Sequence, residues 1–197
     1  MRLGVLVSGR GSNLEACLDA GLDVAVVISN RPDVRALAVA ADRGIPAHVL
    51  RRANFADSHA RDQAIGRLLA DSGVELAVLA GYDQLLRPPY FAAFPGRTIN
   101  VHPSLLPAHG GAGMMGLAVH RSVLACGDAE TGVTIHEVTP ELDAGPILAQ
   151  ASVRVMTGDD AEALASRVLV EEHRLLVATL RGLMAAPVAE VATAQAS

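Results

Sequence analysis

Leu3-Gly4-Val5-Leu6-Val7-Ser8-Gly9-Arg10-Gly11-Ser12-Asn13 is the stretch that decides the fold. Leu3 to Val7 is an apolar run of the kind found in strands covered on both faces. Glycines at 9 and 11 interrupt it, and an amphipathic segment from about Ser12 to Ala20 follows at helical spacing. Strand, glycine turn and helix in that order open a βαβ unit, and a parallel sheet follows from its repetition.

Outward from this unit the alternation continues. Asp23 to Ser29 is a β-branched run that predicts a second strand. Pro32 suits the first turn of a helix, which would carry Val34, Leu37, Ala38 and Ala41 on its inner face and stop at Gly44. Ile45 to Leu50 predicts a short third strand, Phe55 to Ser72 a helix, Glu75 to Ala80 a central strand and Thr98 to Val101 another short one. Past that point the pattern changes. Gly132 to Val138 and Pro146 to Val155 are strand-like runs with no helix between them, so they should pair antiparallel or lie at the sheet edge. Asp159 to about Leu183 reads as a long closing helix. The expected fold is α/β, a single Rossmann-like domain over residues 1–183, its twisted sheet mostly parallel with antiparallel C-terminal strands and helices on both faces. Residues 184–197 form a short tail, and the part after Pro187 should fray.

Composition removes several function classes. Every apolar stretch is broken before the ~20 residues a bilayer span requires, and the N-terminal run is too short for a signal peptide, which predicts a cytoplasmic protein without a membrane partner. A net charge of −5 argues against a nucleic-acid partner, which calls for a basic face. Cys17 and Cys126 fall far apart in helical segments and are expected to be reduced. All basic side chains are arginine, and the chain has no lysine. Lysine Schiff-base chemistry and the Walker-type phosphate lysine are thereby excluded.

Three motifs carry chemistry. In Ser8-Gly9-Arg10-Gly11-Ser12-Asn13, glycines allow backbone amides to approach a ligand at a helix N-terminus, which favours an anion. The same turn also reads as a tight strand-to-helix connection capped by Ser12, and Leu14 at the third glycine position rules out the dinucleotide fingerprint. Asn100-Val101-His102-Pro103-Ser104-Leu105-Leu106-Pro107 ends a predicted strand, where open α/β sheets place ligands. Period-two alternation points Asn100 and His102 the same way. An amide that polarises a carbonyl and an imidazole that moves protons suit acyl transfer, although a buried structural pair has the same spacing. Glu141-Leu142-Asp143-Ala144-Gly145-Pro146 is either a plain turn or the source of a carboxylate that orients His102. The histidines at 109, 120, 136 and 173 lack metal-ligand spacing, so no metal is expected, and His120 and His136 read as core or supporting residues. Ser104 lacks the hydrolase elbow and suits a turn.

In this order and spacing the motifs resemble the folate-dependent formyltransferases, from residue 1 to about 183, and Gly-Ser-Asn at 11–13 points to the phosphoribosylglycinamide formyltransferase branch. The resemblance implies that Gly11, Ser12 and Asn13 hold a substrate phosphate and that Glu172 reaches the ribose or glycinamide end. It implies that Asn100 binds the formyl oxygen and that His102 is the general acid/base, with Asp143 tuning its pKa and position. Asp83, Gln84, Leu85 and Leu86 would border the pterin, as would Thr139, Pro140, Glu141, Leu142 and Asp143. The co-substrate would be 10-formyltetrahydrofolate, both substrates small molecules, and the protein a monomer or homodimer. Alternatives are another formyltetrahydrofolate-dependent transferase or hydrolase, several of which carry further domains, or a non-catalytic nucleotide-binding module.

The chain departs from the family pattern on the folate side. Asp83-Gln84 stands where many members carry Met-Arg, and an arginine usual near Ser58 is absent, with Arg61 the closest substitute. The segment His109-Gly110-Gly111-Ala112-Gly113-Met114-Met115-Gly116 is longer and richer in glycine than the common form, and reads as a flexible lid.

Overall fold

The computed structural model describes residues 1–185. In chain order the elements are β1 (Leu3–Val7), α1 (Ser12–Asp19), β2 (Val24–Ser29), α2 (Arg35–Asp42), β3 (Ala47–Val49), α3 (Ser58–Asp71), β4 (Leu76–Leu79), α4 (Pro88–Ala93), β5 (Arg97–His102), α5 (Leu117–Cys126), β6 (Glu130–Glu137), β7 (Ile147–Arg154) and α6 (Ala161–Ala185). One sheet contains all the strands in the order β3-β2-β1-β4-β5-β6-β7. The pairs from β3 to β5 are parallel, and β6 and β7 add antiparallel. This is the α/β architecture read from the sequence. Winding reverses between β1 and β4, so a ligand crevice is expected beyond their C-terminal ends.

Helices cover both faces. Leu14, Cys17, Val39, Val123, Leu164, Val168 and Leu176 bring α1, α2, α5 and α6 onto one face, against Leu3, Val5, Val7 and Val78 of the sheet. On the other, Ile65 and Leu69 of α3 and Tyr90 of α4 pack against Leu6, Val26 and Ala77. The α3 contact is close, because a Cβ on Gly4 would lie 2.3 Å from Leu69 Cδ2. Among the described residues no helix is long and apolar enough to cross a membrane. Cys17 is buried and Cys126 exposed, and both are free.

Some expectations do not hold. Pro32 does not open α2, which begins at Arg35 after Val34. The start is set by a tertiary contact: the Ala36 amide donates to Gly9 O at 3.3 Å, tying the helix to the first turn. Its buried face is accordingly Ala36, Val39 and Ala40, while Ala38 and Ala41 are exposed. The helix expected from Phe55 begins at Ser58, where the Asp57 side chain accepts from the Ala60 amide at 2.7 Å, and a single 3₁₀ turn (Arg52–Asn54) precedes it. The short α4, which opens on Pro88 and Pro89, has no counterpart among the expected elements. At the C-terminus α6 runs to Ala185, and the remainder of the expected 184–197 tail lies outside the described residues.

Candidate active site

Beyond the C-terminal ends of β1 and β4 opens a cavity of about 660 Å³, in the range of small-molecule sites. Its walls come from the turn after β1, the loops after β4, β5 and β6, the glycine-rich segment and α6. All the residues to which the resemblance gives a catalytic, substrate or folate role line it except Pro140, which is exposed.

Gly11, Ser12 and Asn13 lie at the start of α1. Ser12 is not the cap. That position falls to Gly11 at φ 80, with no side-chain hydrogen bond, so side chains leave the first-turn amides uncapped. Gly11 is also constrained from behind, because a Cβ there would sit 2.6 Å from Ala36 Cβ and 2.8 Å from Ala36 Cα. The position therefore serves α1–α2 packing as well as ligand approach. We expect Gly11→Val to lower stability by on the order of 3 kcal/mol, from overpacking and the left-handed backbone. Urea unfolding will show it; an unchanged midpoint would remove the packing role.

Asn100 and His102 share a face of β5, and Asn100 is the direct cross-strand partner of His136 on β6. His136 Nδ1–H donates to Glu137 O at 2.9 Å, so Nε2 carries the lone pair and accepts from Asn100 Nδ2 at 3.1 Å. This fixes the Asn100 amide and leaves one Nδ2 hydrogen for the cavity. Burial pushes the His136 pKa down, which keeps the ring in the accepting form. His136 thus earns a place in the site that reading it as a core histidine withheld; antiparallel pairing with β5 was the signal. His120 is buried too, and its Nδ1 has no hydrogen-bond partner among the described residues. Burial and the neighbouring His102 lower its pKa, and it lines the cavity as an available polar group.

His102 is 4% exposed. Its Nε2 donates to the carbonyl of His109 at 2.9 Å, and Nδ1 lies 3.9 Å from Asp143 Oδ2. Asp143 has φ 52 and accepts from the Gly111 amide at 2.8 Å, while its other oxygen lies 3.8 Å from His136 Nε2. The structure therefore brings Asn100, His102 and Asp143 together, around a nitrogen (Nδ1) that faces a carboxylate at the separation of a loose ion pair. Ser104 makes the expected turn, donating to Ala108 O at 2.6 Å.

The folate-side loop is built from charge. Asp83 accepts from Ser8 Oγ at 3.0 Å and Asn30 Nδ2 at 2.7 Å, and pairs with Arg31. Burial pushes its pKa up, but hydrogen bonds from Gln84, Asn30 and Ser8, together with Arg31, win and hold it below the usual carboxylate range. Arg61 does not stand in for the arginine missing near Ser58. It is 1% exposed, bonded to Asp62 Oδ1 through Nε at 2.9 Å and to Gln84 Oε1 through Nη1 at 3.1 Å. It braces the loop from below.

On α6, Glu172 Oε2 accepts from Asn13 Nδ2 at 2.9 Å. Burial raises the Glu172 pKa above its ordinary 4.5, against the opposing pull of Asn13 and Arg10. A raised folded value means that the protonated acid stabilises the fold below the unfolded pKa, and that this contribution is lost as pH rises. Glu172→Gln should therefore gain stability relative to wild type as pH climbs above about 4.5. Melting curves taken from below that pH to neutrality test this; a constant difference would mean that the carboxylate is not strained by burial.

Comparison with known proteins gives a consistent result. The chain matches the formyl transferase family over residues 1–180. It is 42% identical over 183 residues to the chloroplastic phosphoribosylglycinamide formyltransferase of Arabidopsis thaliana, covering 89% of this chain and 63% of that protein. The chain thus spans less than two thirds of that relative's length. It is 38% identical to the phosphoribosylglycinamide formyltransferase of Escherichia coli (strain K12), covering 89% of this chain and 83% of that one. A crystal structure of glycinamide ribonucleotide transformylase 1 from Symbiobacterium toebii matches with a TM-score of 0.86 at 42% identity, covering 92% of this chain and 86% of that chain.

Proposed function

The chain belongs to the formyl transferase family, and we propose that it moves the formyl group of 10-formyltetrahydrofolate onto the amine of glycinamide ribonucleotide, a step of purine synthesis. The observation that carries this reading is the convergence of Asn100, His102 and Asp143 at the mouth of β5, beside a helix N-terminus formed by Gly11, Ser12 and Asn13. The uncapped amides suit the ribonucleotide phosphate, and Glu172 faces the same space for the sugar or glycinamide end. The folate lies against Asp83 to Leu86 and the 139–143 loop.

In this reading the substrate amine attacks the formyl carbon, and the C=O electron pair moves onto oxygen. Asn100 Nδ2 donates to that oxyanion. His102, protonated on both ring nitrogens, gives its Nδ1 proton to the departing folate nitrogen as the C–N bond breaks, and the proton lost by the attacking amine returns to Nδ1. Asp143 stabilises the imidazolium form without accepting the proton. No step calls for a metal. We also assign the protein to the cytoplasm, acting on small molecules as a monomer or homodimer, without nucleic-acid or membrane partners.

The test follows folate release in the presence and absence of the ribonucleotide. Release coupled to formylated product, and only with the ribonucleotide present, is expected. Equal release in its absence would make the protein a hydrolase and sink the proposal.

A further inference from the structure

Outside the cavity, ligand atoms of His109, Cys126 and Asp128 lie within 4.8 Å of one another. Both ring nitrogens of His109 are already engaged: Nε2 donates to Asp128 Oδ2 at 2.6 Å, and Nδ1 accepts from Ser122 Oγ at 2.8 Å. The cluster is explained by these bonds without an ion. Its consequence is felt in the backbone. His109 sits at φ 53, a left-handed conformation that a non-glycine residue keeps only where its surroundings enforce it.

That backbone turn reaches both members of the proton-handling pair. The His109 carbonyl accepts from His102 Nε2 at 2.9 Å, and two residues on, the Gly111 amide donates to Asp143 Oδ2 at 2.8 Å. A carbonyl can only accept, so it selects the His102 tautomer with hydrogen on Nε2 and turns Nδ1 toward Asp143. None of His109, Ser122 and Asp128 lines the cavity. Their side chains therefore act through the backbone rather than on substrate.

We propose that Asp128, gripping the His109 ring together with Ser122, is a positioning residue that fixes the tautomer of His102 and its approach to Asp143. This rests on the assignment of His102 as the proton carrier. Without the grip, residue 109 is free to leave the left-handed region. The carbonyl then leaves Nε2, and His102 divides between tautomers.

The experiment uses the full chain with ¹⁵N-labelled histidine. Ring nitrogen shifts of His102 report the tautomer whether or not the enzyme turns over, and a simple loss of stability leaves them in place. Wild type is expected to show hydrogen on Nε2. Asp128→Ala should give a mixed ring, with kcat down roughly ten- to a hundredfold, as for a misplaced catalytic group, and KM for both substrates unchanged. Asp128→Asn, whose Oδ1 still accepts from the His109 ring, should restore both readouts. Should Asp128→Ala fail to fold, Ser122→Ala removes the second grip and should move both in the same direction. Wild-type His102 shifts and wild-type kcat in the folded Ala variant overturn the proposal. A wild-type protein that transfers no formyl group overturns the functional reading instead, and the tautomer measurement still judges the clamp.

Discussion

Replacing Asn100 with alanine is expected to lower kcat by roughly a hundred- to a thousandfold, the usual cost of removing one oxyanion donor, with KM for both substrates close to wild type. The expectation rests on how the amide is held. His136 Nδ1–H is committed to Glu137 O, so Nε2 can only accept, and it accepts from Asn100 Nδ2 at 3.1 Å. The amide cannot turn its oxygen toward the reacting carbonyl without breaking that bond. One Nδ2 hydrogen is thus aimed in advance at the cavity, and the oxyanion forms without reorganisation. Loss of the side chain also leaves the buried His136 Nε2 without its donor, which costs about 1–3 kcal/mol of stability. The kinetic measurement should therefore be made on protein shown folded by circular dichroism. Asn100→Asp offers a harsher comparison, because a carboxylate repels the developing charge and should fall at least as far. If Asn100→Ala retains kcat and loses only substrate affinity, the amide binds the ground state and is no oxyanion donor.

The central strands could be read from the chain because they are buried on both faces. β1 is buried at all five positions, and a run such as Leu3 to Val7 has few other ways to fold. The weaker elements depend on distant contacts. Pro88-Pro89-Tyr90-Phe91-Ala92-Ala93 looks like a loop, with prolines that break longer helices. Yet the prolines fit the first turn of α4, and Tyr90 is fixed from across the fold by its hydroxyl contact with Thr98 Oγ1 at 2.8 Å. On α2 two stripes of small apolar residues compete at helical spacing. The close approach of Gly11 to Ala36 decides between them, and no local pattern records it.

Residues of the site divide in the same way. Asn100 and His102 are two apart on one strand, so alternation alone places them on one face. His136 becomes visible only once β5 and β6 are paired in register, with Asn100 opposite it. Arg61 shows the reverse error. It lies close to Ser58, where the family pattern has an arginine, yet it is buried in a pair with Asp62. The grip of Asp128 on His109 joins residues 19 apart through a loop and α5, and a sequence carries no marker for it.

The double variant His102→Ala/Asp143→Asn should be far less impaired than the product of its two single losses. His102→Ala alone removes a positioned proton donor, worth roughly a hundred- to ten-thousandfold in rate. Asp143→Asn is a clean probe of charge for a reason visible in the backbone. At φ 52 the position is left-handed, which asparagine tolerates nearly as well as aspartate. An asparagine Oδ1 can still accept from the Gly111 amide that now donates to Oδ2 at 2.8 Å. What disappears is the negative charge 3.9 Å from His102 Nδ1. That charge stabilises the imidazolium that forms during proton transfer, so Asp143→Asn should lower kcat with the loop still in place. Once His102 is gone, Asp143 has no imidazolium to stabilise, and removing its charge should cost little more. Groups that act as a unit give such non-multiplicative losses. Strictly multiplicative losses, or a kcat unmoved by Asp143→Asn, would show that the 3.9 Å approach carries no proton chemistry and that Asp143 serves only to hold the loop through Gly111.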